Sequence, residues 1–406
     1  MKEVFIAAAV RTPIGTHGGA LKSLQAQDLA EIVFRAVLDR TGVDPAALDE
    51  VILGNIAQPS DAANIGRVAA LMAGVPFEVP GYTVARNCAS GIQSITSAVQ
   101  AVNSDDGDLF LVGGTESMSN IPYILKDVRW GLKLRHAQLT DGLWEGLTDP
   151  IANQIMGRTA ENLAERYEIG RQEQDEYAVK SHKKAFMATR MEKFKEEIVP
   201  VEVVKRIAGQ EVARETITQD ECINPALSVQ KAALYPTIFK EGGSVTPANS
   251  CPISDGAAAM LVMTAHKAKE LGIEPQARIV AYAYAALDPA YMGLGPAFAI
   301  PKALKRAGLE LEDMDVIELN EAFAAQVLAV AAELQNQGLE LNFNVVNPNG
   351  GAIALGHPVG ATGARQVATL LPELRRRKAR YGMVTMCVGG GQGGALILEN
   401  LQSNGQ

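Results

Sequence analysis

Val79-Pro80-Gly81-Tyr82-Thr83-Val84-Ala85-Arg86-Asn87-Cys88-Ala89-Ser90-Gly91 is the stretch on which the fold turns. Its first half reads as a loop running into a short buried strand. Just beyond it, Ile92 to Val102 places small and apolar residues at helical spacing. Cys88 therefore stands where a strand hands over to a helix. The first turn of a helix carries unpaired N–H groups and a partial positive charge, which favour ionisation of a thiol whose free pKa is about 8.5. Cys88 reads either as a nucleophile or as a small side chain that packs as a hydrophobe.

The same rhythm runs outward from this stretch. Val4–Val10 reads as a strand, Ala26–Thr41 as an amphipathic helix, Leu48–Gly54 as a turn into a strand, Ala63–Ala73 as a helix and Leu109–Gly113 as a strand. Such alternation predicts a mainly parallel sheet covered by helices. From about Ser117 the composition changes. Residues 119–245 hold both tryptophans and long charged helical runs such as Arg171–Glu196, and read as an inserted, mostly helical region. Ala257–Thr264 returns to an apolar strand that should rejoin the first sheet. The last third repeats the first. Met314–Ile317 answers Leu48–Ile52, Gly360–Leu371 answers the helix after Cys88, and Tyr381–Cys387 answers Asp108–Gly113. The expected domains are 1–118 with 246–268, an insert at 119–245, and 269–406. Loops at matching ends of two such halves would meet, and ligands prefer the carboxyl ends of parallel strands.

A chain of 406 residues exceeds one hydrophobic core, and 47% hydrophobic with 20% charged residues is an ordinary globular composition. The net charge of −9 argues against a nucleic-acid surface. The basic run Arg375-Arg376-Arg377-Lys378-Ala379-Arg380 follows an apolar helical stretch and reads as a solvated helix end rather than a phosphate site. Cysteines at 88, 222, 251 and 387 have no metal-type spacing, so no metal is expected. So few in so long a chain imply a reducing compartment, the cytoplasm. The apolar run Val4–Val10 ends in Arg11-Thr12-Pro13 and is too short for an export signal. No run approaches the ~20 residues that span a bilayer, so no membrane partner is expected.

Three stretches of the second half fall at strand ends: Asn320-Glu321-Ala322-Phe323-Ala324, Asn349-Gly350-Gly351 through Gly356-His357-Pro358, and Cys387-Val388-Gly389-Gly390-Gly391-Gln392-Gly393-Gly394. Glycine-rich turns let backbone N–H groups approach developing negative charge. The last run lacks the lysine of a nucleotide loop, and Ala395–Leu398 after it looks like strand rather than helix. His357 reads either as a satisfied structural histidine or, in so glycine-dense a loop, as a general base.

Taken together, these motifs resemble the thiolases, the acetyl-CoA acetyltransferases and 3-ketoacyl-CoA thiolases. The resemblance runs from Val10-Arg11-Thr12-Pro13-Ile14-Gly15 through Asn87-Cys88-Ala89-Ser90-Gly91, Gly113-Gly114-Thr115-Glu116-Ser117-Met118-Ser119, Asn320-Glu321-Ala322-Phe323 and Gly356-His357-Pro358-Val359-Gly360 to Cys387-Val388-Gly389-Gly390-Gly391. It implies a layered αβαβα core from two duplicated α/β halves with an inserted loop domain. It also implies acyl transfer with coenzyme A as co-substrate and no tightly bound cofactor, small acyl-CoA partners, and a homodimer or homotetramer. By the same resemblance Cys88 is the nucleophile and His357 activates it. Cys387, a thiol with a pKa near 8 to 9, moves the proton at the α-carbon or on the incoming thiol. Asn320 holds a water that polarises one thioester oxygen with His357, and the N–H groups of Cys88 and Gly389 form a second oxyanion hole.

Met292 and Phe323 match residues near the acyl end in relatives. Two departures stand out. Cys251 replaces a serine that lies near the pantetheine in relatives, and Ile155 stands where short-chain members often carry histidine. Ile155 implies a different or more open acyl pocket and substrates longer than acetoacetyl-CoA. Cys222 and Cys251 also read simply as small packing residues. The rival readings are a decarboxylating ketoacyl synthase, which lacks the second cysteine, and a non-catalytic acyl-CoA or lipid carrier.

Overall fold

The computed structural model describes residues 2–132, 134, 136–207 and 210–402. In its first half the strands are β1 (Val4–Arg11), β2 (Glu50–Gly54), β3 (Gly81–Val84), β4 (Leu109–Ser117) and β5 (Ser254–Thr264). In its second half they are β6 (Ala277–Ala286), β7 (Val316–Leu319), β8 (Tyr381–Val388) and β9 (Gln392–Asn400). They follow one path, β7-β8-β9-β6-β1-β5-β4-β2-β3. Reading outward from the β1–β6 contact gives β1-β5-β4-β2-β3 on one side and β6-β9-β8-β7 on the other. Val346 bridges Ile317 in parallel where the counterpart of β3 would lie. The duplication read from the sequence is thus visible in the strand order.

The sheet is not mainly parallel. Among these nine strands, the parallel pairs are β2–β3, β2–β4 and β7–β8. The pairs β4–β5, β5–β1, β1–β6, β6–β9 and β9–β8 are antiparallel. Helical crossovers produce the first kind. A tight turn can only return the chain antiparallel, and the β8–β9 turn carries Gly390 and Gly391 at φ 83° and 76°.

The helices that matter to the layers are α1 (Ala26–Thr41), α2 (Ile65–Met72), α3 (Ser90–Asn103), α4 (Met156–Arg166), α5 (Arg171–Arg190), α6 (Gly295–Ala307), α7 (Ala324–Asn336) and α8 (Thr362–Arg377). A single apolar cluster joins Ile92 and Ile95 of α3, Val367 and Leu370 of α8, Val112 and Met260 of the first half, and Val384 and Leu396 of the second. So α3 and α8 lie between the two halves. α1 and α2 cover the outer face of the first half, and α6 and α7 that of the second. The result is helix, sheet, helix, sheet, helix. Being covered on all sides, α3 is mostly small and apolar, and α8 buries Arg365, Gln366 and Glu373 beside its apolar residues. The hydroxyl of Ser94 is satisfied within its own helix, donating to the Gly91 carbonyl at 2.9 Å.

The insert between β4 and β5 contains α4 and α5 but is less helical than expected. Among the described residues, three two-stranded pairs interrupt it: Tyr123–Leu125 with Leu139–Asp141, Thr148–Asp149 with Gln154–Ile155, and Val201–Ile207 with Gln210–Ile217. α5 stops short of Glu196. Glu192 takes φ 53° and the Lys193 N–H returns to the Ala188 carbonyl, a turn that ends the helix. Among the described residues no helix is long and apolar enough to cross a membrane.

The N-terminal ends of α3 and α8 touch backbone to backbone. A Cβ on Gly91 would fall 2.5 Å from the Ala364 nitrogen, and one on Gly363 would fall 2.6 Å from the Ile92 nitrogen. Neither contact is the yielding end of a side chain. Gly91→Ala should therefore lower stability by about 1–3 kcal/mol in denaturant unfolding, the scale of overpacking a tight core. An unchanged midpoint would show that the two helices separate without cost.

Candidate active site

Cys88 lies between β3 and α3, and His357 lies between the Val346 segment and α8, so the two are counterparts in the duplicated halves. Asn320 follows β7, and Cys387 is near the end of β8, two residues before Gly389. Each comes from the carboxyl end of a strand with a parallel neighbour or from its equivalent.

The turn at Cys88 is tightly held. Asn87 takes φ 41°, a conformation costly for a residue with a side chain. Its carbonyl accepts the Ser90 N–H at 3.0 Å and the Ser90 hydroxyl at 2.8 Å. Its Nδ2 donates to the Gly389 carbonyl of the other half at 2.7 Å. Cys88 is thereby set against the glycine turn. It does not lie in the first turn of α3, which begins at Ser90. The expectation of an easily ionised thiol is overturned as well. Burial pushes the Cys88 thiol up, and Glu116 adds to the rise, while the N–H groups of Gly389 and of Cys88 itself pull the other way without prevailing.

His357 Nδ1 lies 2.6 Å from the Thr362 hydroxyl, which itself donates to the Pro358 carbonyl at 2.9 Å. The hydroxyl therefore accepts from Nδ1–H, which leaves Nε2 as the bare nitrogen. That nitrogen faces Asn320 Nδ2 at 3.4 Å. Burial, reinforced by the Arg365 cation, pulls the imidazole down to about 3, so it is neutral at physiological pH. Asn320 is fully buried, and its Oδ1 has no partner among the described residues. Its loop is fixed by Glu321, whose carboxylate accepts from Ser181 at 2.6 Å, Asn347 at 2.8 Å, Tyr177 at 3.0 Å and the Ile353 N–H at 3.2 Å.

Cys387 is fully buried in an apolar cluster with Met292 and Phe323, against which Met156 and Phe239 pack. Burial and the neighbouring thiols of Cys88 and Cys251 push it well above the usual thiol value, not near 8 to 9 as expected. Cys251 donates its N–H to the Ala322 carbonyl at 3.0 Å and is within electrostatic reach of Cys88, so three thiols converge here. Cys222 stays apart. It packs against Ile14, Phe194 and Leu355, and burial pushes its thiol up to about 12, as suits a small packing residue.

Of the expected pocket residues, Met292 and Phe323 join Cys387. Ile155 is half-buried in its pairing with Thr148, whereas the next side chain reaches the glycine turn. The Met156 sulfur lies 3.4 Å from where a Cβ on Gly389 would be. Met156, Thr362 and Glu321 adjoin these residues, and the sequence reading gave them no role. Thr362 carried a usable signal, a hydroxyl five residues after the histidine at the start of a helix. Among the described residues no group of three or more His, Cys, Asp or Glu could hold a metal ion.

The family description "Thiolase, N-terminal domain" matches residues 4–266, and "Thiolase, C-terminal domain" matches residues 273–400. A protein of Staphylococcus epidermidis named "Probable acetyl-CoA acyltransferase" is 45% identical over 403 residues, 99% of this chain and 100% of that one. The crystal structure of the Bacillus anthracis acetyl-CoA acetyltransferase superposes with a TM-score of 0.95 at 46% identity, covering 99% of each chain. That of human mitochondrial 3-ketoacyl-CoA thiolase in complex with CoA gives 0.92 at 41% identity, covering 98% of each.

The half-buried, desolvated Cys88 thiol makes a pH prediction. Its alkylation by iodoacetamide, followed by peptide mass spectrometry, should rise with pH to an inflection above the ~8.5 of a free thiol. A plateau already reached below pH 8 would show that the two N–H groups outweigh burial.

Proposed function

The chain belongs to the thiolase family, and from that premise we propose that it is a CoA-dependent acyltransferase working through an acyl group on Cys88. It condenses two acyl-CoAs and, in reverse, cleaves 3-ketoacyl-CoA by thiolysis. The observation that carries this reading is that the buried Cys387 of the second half lies within electrostatic reach of Cys88 of the first, which also faces the Gly389 N–H, while a neutral His357 faces Asn320.

In the thiolytic direction Cys88 gives its proton to His357 Nε2, and its sulfur attacks the 3-keto carbonyl. The oxyanion turns to the N–H groups of Cys88 and Gly389, the two that already face the Cys88 sulfur. The bond between the α- and β-carbons breaks, leaving the shortened acyl chain on the cysteine and the enolate of acetyl-CoA. His357 and a water on Asn320 stabilise that enolate, and the partnerless Asn320 Oδ1 supports such a water. The enolate takes its proton from Cys387, whose raised pKa keeps it protonated and suits it to act as the acid in this direction. Free CoA then gives its thiol proton to the Cys387 thiolate and attacks the acyl-cysteine. Cys88 leaves as a thiolate and recovers its proton from His357. Two half-reactions sharing one acyl-enzyme are ping-pong.

Met292, Phe323, Met156 and Phe239 form an apolar wall around Cys387, which supports acyl chains longer than four carbons. Cys251 lies on the pantetheine side in this reading. A homodimer or larger homo-oligomer is supported by the large apolar side chains that the insert exposes, among them Trp130, Trp144 and Ile151. Cys387 favours a thiolase over a decarboxylating synthase, because carbon–carbon chemistry without decarboxylation needs a second acid–base group at the α-carbon.

Thiolysis of four- and six-carbon 3-ketoacyl-CoAs by wild type and Cys387→Ser tests the reading. The wild type should cleave both. The variant should still acetylate Cys88 but lose cleavage by a factor on the order of 10²–10⁴, the scale of acid–base catalysis. Full turnover in the variant would make Cys387 structural, and absence of six-carbon activity would contradict the open pocket.

A further inference from the structure

Glu116 has no part in the chemistry above, yet it joins the pieces that perform it. It lies at the end of β4, 1% exposed, paired across the sheet with Gly256. Its Oε1 accepts from Asn55 Nδ2 at 2.8 Å and from the Ala57 N–H at 3.0 Å. Its Oε2 accepts from the Ile56 N–H at 3.1 Å and from the Gly360 N–H at 2.8 Å. Three of these donors follow β2 in the first half. The fourth belongs to the second half and lies between His357 and Thr362, the hydroxyl that holds His357 Nδ1. The space there is fully used, since a Cβ on Gly360 would come 2.7 Å from Glu116 Oε2. The same carboxylate is within electrostatic reach of Cys88.

We propose that Glu116, as a carboxylate, is the positioning residue that holds the His357 turn of the second half in register with Cys88 of the first, and that its protonation slows acylation. The inference rests on the acyl-cysteine reading above. A carboxylate offers about four acceptor sites, and here four N–H groups face them. Protonation turns one acceptor into an O–H donor pointed at another donor, so at least one of the four bonds is lost. Burial raises the Glu116 carboxyl to about 7, with the N–H groups pulling the other way, so the change falls within the range of an ordinary assay. The ionisable groups near it on the elements around it are Cys88 of the β3–α3 turn, His357 of the turn before α8 and Asp255 of β5, with Glu50 at the far end of β2. The Asp255 carboxylate faces Ser119, accepting from its N–H at 2.8 Å and its hydroxyl at 2.6 Å. His357, pulled down to about 3, cannot produce an acid limb near neutrality, and the Cys88 thiol is raised above the usual value.

The test is single-turnover acetylation of Cys88 by acetyl-CoA from about pH 5.5 to 8.5, with acetyl-CoA affinity and thermal melting measured alongside. Wild type should lose rate as the pH falls through about 7 in a one-proton step. Glu116→Gln should be slower at pH 8 by about 10- to 100-fold, the scale of a small misplacement of reacting groups. It should lack the acid limb and bind acetyl-CoA within about twofold of wild type. Glu116→Asp should keep the limb and recover part of the rate. A flat wild-type profile, or a Gln variant that keeps either the limb or the wild-type rate, overturns the proposal. If Glu116→Gln does not fold, the wild-type profile and the Asp variant decide. Failure of Cys88 to acetylate at any pH would instead defeat the acyl-cysteine reading.

Discussion

Two helix N-termini meet without a side chain between them, and the rest of the molecule is arranged so that they can. α3 and α8 cross where Gly91 and Gly363 leave room only for backbone. Helix starts present unpaired N–H groups and are normally solvated or capped. Here they are buried between the two halves of the sheet, and the turns that lead into them carry Cys88 and His357. The duplicated topology makes this possible, because each half supplies the same strand, turn and helix to the shared middle layer. Asn87 bonded to Gly389, and Glu116 bonded to Gly360, then fix the turns of one half to those of the other.

The same burial sets the chemistry. Desolvation disfavours whichever form of a group is charged, so it raises thiols and carboxyls and lowers imidazoles. Cys88 and Cys387 are therefore protonated at rest and His357 is neutral. In the proposed mechanism, a neutral thiol and a neutral base exchange a proton only when a substrate carbonyl is there to accept the resulting nucleophile. The N–H groups of Cys88 and Gly389 lower the cost of that charge once it forms.

Much of this was legible in the sequence because it is locally encoded. The strand at Val4–Arg11 and the helix at Ala26–Thr41 follow from apolar periodicity, and the repeat from matched strand–turn–helix units. Cys88, Asn320, His357, Cys387 and Gly389 stand in short motifs whose glycines and prolines mark the turns. The mixed direction of the sheet was not legible. It depends on the tight β8–β9 return and on β5 coming back to β4 after a long insert, neither of which alternation of strands and helices encodes. The thiol shifts were missed because desolvation comes from tertiary packing, whereas position near a helix start is local. Ile155 drew attention by its contrast with relatives, but it is the next residue, Met156, that meets Gly389. Glu116 lay inside a quoted motif, yet its partner Gly360 is 244 residues away, and nothing local announces that bond.

The proposed acyl group on Cys88 has a direct test. Wild-type protein incubated with acetyl-CoA alone, quenched in acid and digested, should yield the Cys88 peptide carrying one acetyl group, which free CoA removes before the quench. An acetyl group found instead on Cys251 or Cys387, or on no cysteine at all under conditions that support turnover, would contradict the arrangement described.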